Sequence, residues 1–146
     1  YILTVKINKI DISGKSPAIF IKDLIPTIDY RDFKKLINYK KNIRYCLHKF
    51  RKNKLQCMVN LIRKNSDIKM HKHNREEVYC ILKGKISISL KINKKIKKIM
   101  MKKKKNQILF MPKNILHSIK SDTNYCIFLE ISPGPFSKKN TSYEKN

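Results

Sequence analysis

The stretch that decides the fold is His71-Lys72-His73-Asn74-Arg75-Glu76-Glu77, with a tyrosine two positions further on. A β-strand alternates its faces with a period of two, so His71 and His73 point to the same side. After a short irregular step, Glu77 and Tyr79 can share that inward face. The pattern therefore aims two imidazoles and one carboxylate at a single point.

A second apolar run, residues 108–117, reads as strand, tight turn and strand, and it ends on His117. This histidine is the natural fourth ligand. Imidazole nitrogens with one carboxylate oxygen suit a borderline divalent ion such as Zn, Fe(II), Mn, Ni or Cu(II), and four protein ligands leave positions open for chemistry. We predict one divalent ion per chain, held by His71, His73, Glu77 and His117. The alternative is a site without metal that uses its histidines as acid and base.

The composition indicates one compact domain. The chain has 146 residues, 41% of them hydrophobic, with 3 Gly and 5 Pro. No apolar run approaches the length that crosses a bilayer. A charged-then-apolar leader is absent after Tyr1, so we expect no signal peptide and a cytoplasmic protein. Cys46, Cys57, Cys80 and Cys126 form no C-x-x-C pair, and we expect free thiols in apolar surroundings.

The net charge of +25 would ordinarily suggest a nucleic-acid partner. The basic residues are mostly lysines accompanied by many Ile and Asn, which is the pattern that an AT-rich genome imposes on any protein. Compositional drift is therefore favoured over a functional basic surface, and nucleic acid is not the expected partner. The lysine run at residues 102–105 reads as a solvated hairpin loop between the two histidine motifs.

The periodicity of the chain predicts its elements. Residues 2–12 alternate as a strand with no obvious hairpin mate, which suggests pairing with a second copy in a two-fold homodimer. Residues 29–39 have helical spacing. Beyond Arg44 the chain is strand-like, as expected of an antiparallel sandwich or barrel. Its short β-rich runs are residues 55–62, 76–82, 85–92, 107–111, 115–120 and 125–131.

The two histidine motifs resemble those of the cupin superfamily. The two histidines, Glu77 and, after six residues, Gly84 resemble the first cupin motif, and Pro112-x-Asn114-x-x-His117 resembles the second. The resemblance implies a mainly β fold, the cupin double-stranded β-helix or jelly roll, with a short helical N-terminal segment. Together with the periodicity, it predicts an N-terminal strand and helix segment over residues 1–42 and the β-barrel over 43–136. The polar composition of residues 137–146 predicts a disordered tail.

Four positions depart from the cupin motifs. Asn65, Asn106 and Asn114 stand where the family usually has Gly, and Ser121 stands where it usually has Asn. Among residues other than Gly, Asn best tolerates the left-handed conformation of a tight turn, so we expect the turns to be kept.

A narrower resemblance, to the WbuC-type cupin-fold metalloproteins, spans residues 28 to 136. It rests on Arg44-x-x-x-His48, on Gln56, and on the closing run Glu-Ile-Ser-Pro-Gly-Pro-Phe at residues 130–136. Because such proteins are often encoded with O-antigen genes, it implies a sugar or nucleotide-sugar substrate in surface-polysaccharide biosynthesis. Arg44, His48 and Gln56 would hold a carboxylate, phosphate or sugar hydroxyl; a plain surface-anchoring role is the alternative.

Two further residues are candidates for chemistry. Tyr79 could bind the substrate or simply line the barrel. Glu130 could act as a general base or pair with Arg44. A sugar isomerase or epimerase would use Glu130 or His48 as its base, whereas a dioxygenase would need Fe(II). A non-catalytic metal- or sugar-binding module remains the rival class, and an all-apolar cavity would favour it.

Overall fold

The structure, a computed structural model, describes residues 7–11, 18–21, 28, 34, 37, 38, 40–64, 66 and 68–144. For residues 7–11 and 21 only the backbone is described. Among all these residues, no helix is long and apolar enough to cross a membrane.

The described residues form two β-sheets that pack face to face. One sheet has the strand order β1-β2-β3-β4-β11-β6-β9 and the other β12-β5-β10-β7-β8. Side chains from both sheets share one hydrophobic core. The mainly β prediction is confirmed, and the arrangement is consistent with a jelly roll. The strands are β1 (Ile7–Asp11), β2 (Ala18–Ile21), β3 (Ile43–Cys46), β4 (Leu55–Arg63), β5 (His71–His73), β6 (Glu77–Lys83), β7 (Lys85–Ile92), β8 (Lys95–Lys102), β9 (Ile108–Met111), β10 (Leu116–Ser121), β11 (Tyr125–Pro133) and β12 (Thr141–Tyr143).

The six β-rich runs predicted from periodicity all occur, as β4, β6, β7, β9, β10 and β11. Strand β8 was missed because its sequence, KIKKIMMK, is dominated by lysine. It pairs with β7 along its whole length, and Met101 near its end is buried, whereas Lys95, Lys97 and Lys98 are exposed. The predicted lysine-rich hairpin turn follows directly, with Lys103 and Lys104 exposed at its tip.

The N-terminal strand has a mate within the chain, so the expectation of an unpaired strand is wrong. β1 pairs antiparallel with β2, and β2 runs parallel to β3 in the seven-stranded sheet. The mate was missed because Ala-Ile-Phe-Ile in β2 is a short continuous apolar run without alternation. Residues 2–6 and 12 lie outside the described residues. Of the predicted helix over residues 29–39, only Lys34, Ile37 and Asn38 are described, with helical backbone, so the N-terminal helix stays a prediction.

The C-terminal segment corrects the expectation of a disordered tail for residues 137–144. Ser137 caps a short 3-10 helix, Lys138–Asn140, by accepting a hydrogen bond from the Lys139 amide at 3.3 Å. Strand β12 then pairs antiparallel with β5. Polar composition suggested disorder, but backbone pairing at a sheet edge orders a strand whatever its side chains.

The left-handed turns that place the second histidine motif are made by asparagine, as expected. Asn106 and Asn114 have φ of 48° and 64°; Asn65 lies outside the described residues. The amide of Asn114 donates to the His73 carbonyl at 2.6 Å, which joins the turn before β10 to the end of β5. The four cysteines are free thiols, two of them buried and two half-buried.

Candidate metal centre

Three histidines meet between the two sheets. His71 and His73 lie on β5, and His117 lies on β10 directly opposite His71 in the antiparallel pairing. One ring nitrogen from each histidine lies within 4.8 Å of the others, so the three could hold a metal ion. The pairing of two short strands thus brings together side chains that are more than forty positions apart in the sequence.

Hydrogen bonds donated by Nδ1 orient two of the imidazoles. His71 Nδ1 lies 2.7 Å from the Lys69 carbonyl and His117 Nδ1 lies 2.9 Å from the Ile115 carbonyl. A carbonyl oxygen only accepts, so both Nδ1 atoms must carry the proton and both Nε2 atoms keep a free lone pair. This is the usual arrangement of metal-binding histidines.

Burial keeps these imidazoles neutral. Desolvation and the neighbouring His117 lower the pKa of His71 to about 4, and desolvation followed by both other histidines lowers the pKa of His73 to about 3. Burial also lowers the pKa of His117. Neutral imidazole is the form that coordinates metal, so the protonation state of the cluster near neutral pH is compatible with a metal ion.

Glu77 reaches the cluster from the opposite sheet, at the start of β6. Its Oε1 lies 3.5 Å from His73 Nε2 and has no hydrogen-bond partner although it is buried, while its Oε2 accepts a hydrogen bond from the Tyr79 hydroxyl. Desolvation raises the pKa of Glu77. A buried carboxylate oxygen that accepts no hydrogen bond and lies next to an imidazole nitrogen is the kind of atom that coordinates a divalent cation.

Tyr79 lies on the inner face beside both groups. Its hydroxyl is 3.4 Å from His117 Nε2, and its ring packs edge-on against Phe128 at 5.6 Å between centroids. Burial, followed by the charge of Glu77, raises the pKa of Tyr79 well above its usual value. Tyr79 therefore lines the barrel and also presents a protonated hydroxyl to the site.

Glu130 is half-buried and lies on the same inner face. It lies on β11 opposite Tyr79, and its Oε2 accepts a hydrogen bond from Asn60 Nδ2 at 2.9 Å. Burial and the charge of Glu77 raise the pKa of Glu130 to about 7, against the opposing charges of Arg44 and Arg75. Arg44 lies on β3 opposite Asn60. Glu77, Tyr79 and Glu130 therefore place polar groups on the inner face that the histidines share.

His48 and Gln56 are anchored to the backbone. His48 Nδ1 lies 3.0 Å from the Cys57 carbonyl oxygen and 3.1 Å from the Cys57 amide nitrogen, and burial lowers its pKa. Gln56 Nε2 donates to the carbonyls of Arg51 and Asn53 at 3.0 and 3.1 Å. These contacts give both side chains a structural role, and their part in binding substrate stays a prediction.

Arg75 is the residue that sequence reasoning missed. It is only 8% exposed, its Nε lies 3.6 Å from Glu77 Oε1, and its guanidinium lies over the Phe136 ring at 5.6 Å. It stands in the irregular step between β5 and β6, where a period of two predicts no direction. The available signal was its position inside the motif, between the second histidine and Glu77.

Comparisons with known proteins agree with this fold. Residues 38–97, less than half of the chain, match the model of a domain of unknown function, DUF6016. No curated protein matches the sequence. A solved protein of Shewanella oneidensis superposes with a TM-score of 0.65 at 8% identity, covering 82% of this chain and 86% of that one.

Two solved enzymes share the barrel. A variant of Bacillus subtilis oxalate decarboxylase has a TM-score of 0.54 at 17% identity, and hydroxypropylphosphonic acid epoxidase from S. wedmorenis has 0.53 at 17%. They cover 62% and 64% of this chain, which spans 24% and 51% of theirs. Fe(II) and Co(II) forms of HppE also superpose. The chain therefore has the cupin fold, as its motifs predicted.

Proposed function

We propose that this protein is a metal-dependent cupin enzyme acting on a small molecule. The observation that carries the proposal is the convergence of three imidazoles, each with a ring nitrogen within 4.8 Å of the others. His71, His73 and His117 would hold one divalent ion, with Glu77 as the fourth ligand. The Fe(II) and Co(II) forms of a structural neighbour support a first-row transition metal.

The surrounding residues can move protons. A bound divalent ion supplies Lewis acidity, which polarises a carbonyl or hydroxyl or activates water. Glu130, with a pKa near 7, can take or return a proton at neutral pH, and Asn60 holds the carboxylate in place. The Tyr79 hydroxyl donates its proton to Glu77 Oε2, and its oxygen can accept a hydrogen bond from a hydroxyl group of the substrate.

The substrate we propose is a sugar or nucleotide-sugar of surface-polysaccharide (O-antigen) biosynthesis. The support is the resemblance to WbuC-type cupins, carried by Arg44, His48, Gln56 and residues 130–136. The reaction would be an isomerisation or epimerisation with Glu130 or His48 as base, or a dioxygenation if the metal is Fe(II). A non-catalytic metal- or sugar-binding module is the second candidate. It is favoured by the hydrogen bonds of His48 and Gln56 to backbone carbonyls, which give these two side chains a structural role.

Elemental analysis tests the proposal. Purified wild-type protein should carry about one equivalent of a divalent ion, and the double variant His71→Ala, His73→Ala should carry none, because two of three neutral donors are lost. Full retention of metal in the double variant would sink the assignment. Nucleotide-sugars should then be turned over by the loaded wild type and not by Glu130→Gln, whereas binding without turnover would favour the non-catalytic module.

We also propose that residues 43–136 form the unit that builds the site, and that the protein works in the cytoplasm as a two-fold homodimer. Free cysteines support a reducing compartment. The exposed Ile108 and Phe110 on β9, an edge strand, support self-association. Nucleic acid is not a proposed partner, because the excess charge is carried by lysines with no motif for base recognition.

A further inference from the structure

We propose that Arg75 is an anion-binding residue beside the histidine cluster, so that the natural substrate carries a carboxylate or phosphate group. This inference deepens the proposed function, on which it rests, by naming the substrate class and the residue that selects it. It does not depend on Arg44, His48 or Gln56.

The hydrogen bonding of Arg75 is incomplete. A guanidinium has five N–H donors and no acceptor. Nε and Nη1 of Arg75 are both buried and both without a hydrogen-bond partner. The 3.6 Å from Nε to Glu77 Oε1 makes an ion pair and exceeds the distance of a good hydrogen bond. Buried charged donors without acceptors are costly, so an oxyanion that supplies two oxygens would be bound favourably.

The guanidinium is held ready to bind. The Phe136 ring lies against its face at 5.6 Å, and the Phe136 amide is itself anchored to the Arg51 carbonyl at 2.8 Å. Stacking on an aromatic ring orients the planar fork, so little freedom is lost when two parallel hydrogen bonds form to a carboxylate or phosphate. The exposed lysines that dominate the net charge offer no such preorganised geometry.

Titration calorimetry at constant ionic strength tests the proposal, with sodium acetate and inorganic phosphate as probes and Co(II)-loaded protein. We expect Arg75→Gln to bind the preferred probe at least about tenfold more weakly, the loss of one charge-assisted hydrogen bond or more. Arg75→Lys should be intermediate, because lysine keeps the charge and loses the fork. The matched control is Lys113→Gln, which removes one exposed charge from the turn next to His73.

Metal content measured on the same samples separates the two proposals. If the wild type holds no metal, the proposed function fails, and the same order of anion affinities is still expected on metal-free protein. If metal is retained but Arg75→Gln binds both probes as the wild type does, the role of Arg75 is overturned. Equal weakening by Lys113→Gln would also overturn it, because the binding would then be generic. If Arg75→Gln does not fold, Arg75→Lys replaces it in the test. Wild-type affinity in Arg75→Lys would then overturn the role of Arg75, and weaker binding would support it.

Discussion

At the scale of single residues, the site depends on which ring nitrogen of His71 and of His117 carries the proton. The Nδ1–H groups of His71 and His117 donate hydrogen bonds to the carbonyls of Lys69 and Ile115. Each carbonyl lies two positions before its histidine. Each histidine and the carbonyl that orients it therefore come from the same short segment of the chain. Such local bonds are why a motif of a few residues can carry so much of a metal site.

The shifted pKa values predict how the stability of metal-free protein depends on pH. His71 and His73 have pKa values of about 4 and about 3 when folded, below the ordinary 6.5. Between these values the unfolded chain binds more protons, so the free energy of unfolding rises with pH. Glu130 acts oppositely: its folded pKa of about 7 exceeds the ordinary 4.5, so its contribution falls as pH rises between them.

Melting temperatures of metal-free variants from pH 4 to pH 7 check both signs. The variant His71→Gln, His73→Gln should gain less stability with rising pH than the wild type. Glu130→Gln should gain more. A wild-type pH profile that both variants reproduce would show that these groups titrate alike in folded and unfolded protein.

At the scale of elements, the C-terminal strand β12 contacts the candidate metal centre. Thr141 pairs with His73, and its Oγ1 lies 3.0 Å from His73 Nδ1. The Asn140 backbone also hydrogen-bonds to this ring, and the Tyr143 ring lies 5.9 Å from that of His71. The imidazole of His73 is thus oriented by β12, which lies nearly seventy positions further along the chain.

Removal of the Thr141 hydroxyl should therefore weaken metal binding. Thr141→Val keeps the shape of the side chain and is expected to lower the affinity by about tenfold to 100-fold, the usual effect of losing a partner of a ligand. Competition with a chelating dye measures the change. Ser142→Ala on the same strand, with an exposed side chain, is the matched control. Equal affinities in the two variants would mean that Thr141 does not orient His73.

At the scale of the whole molecule, the sheet edges decide how copies could associate. β1, β9, β12 and β8 are the ends of the two sheets among the described residues. On the edge strand β9, Ile108 and Phe110 are 68% and 60% exposed. Such exposure is unusual for large apolar side chains on an edge strand. Repulsion from +25 per chain is screened beyond about 8 Å at physiological salt.

Light scattering at moderate salt should give the mass of a dimer for the wild type. Phe110→Ser, which removes an exposed ring from the edge strand, should shift the equilibrium to monomer, whereas Leu55→Ser, an exposed apolar residue of β4, should not. A monomeric wild type at all practical concentrations would rule out the dimer.

The amino-acid sequence by itself determined the strand identity of the motifs, the shared face of His71 and His73, and the asparagine turns. These follow from the period of two and from the left-handed preference of single residues, both of which are local. The sequence also predicted that His117 would meet the pair, because its motif resembles a known one.

Only the tertiary structure decided the direction of Arg75, the return of β12 to His73 and the pairing of β1 with β2. Arg75 lies in an irregular step where periodicity carries no information. β12 is polar and was predicted to be disordered, and its order comes from backbone hydrogen bonds to β5. Pairing between distant segments depends on the packing of the whole chain, and no local pattern of residues encodes it.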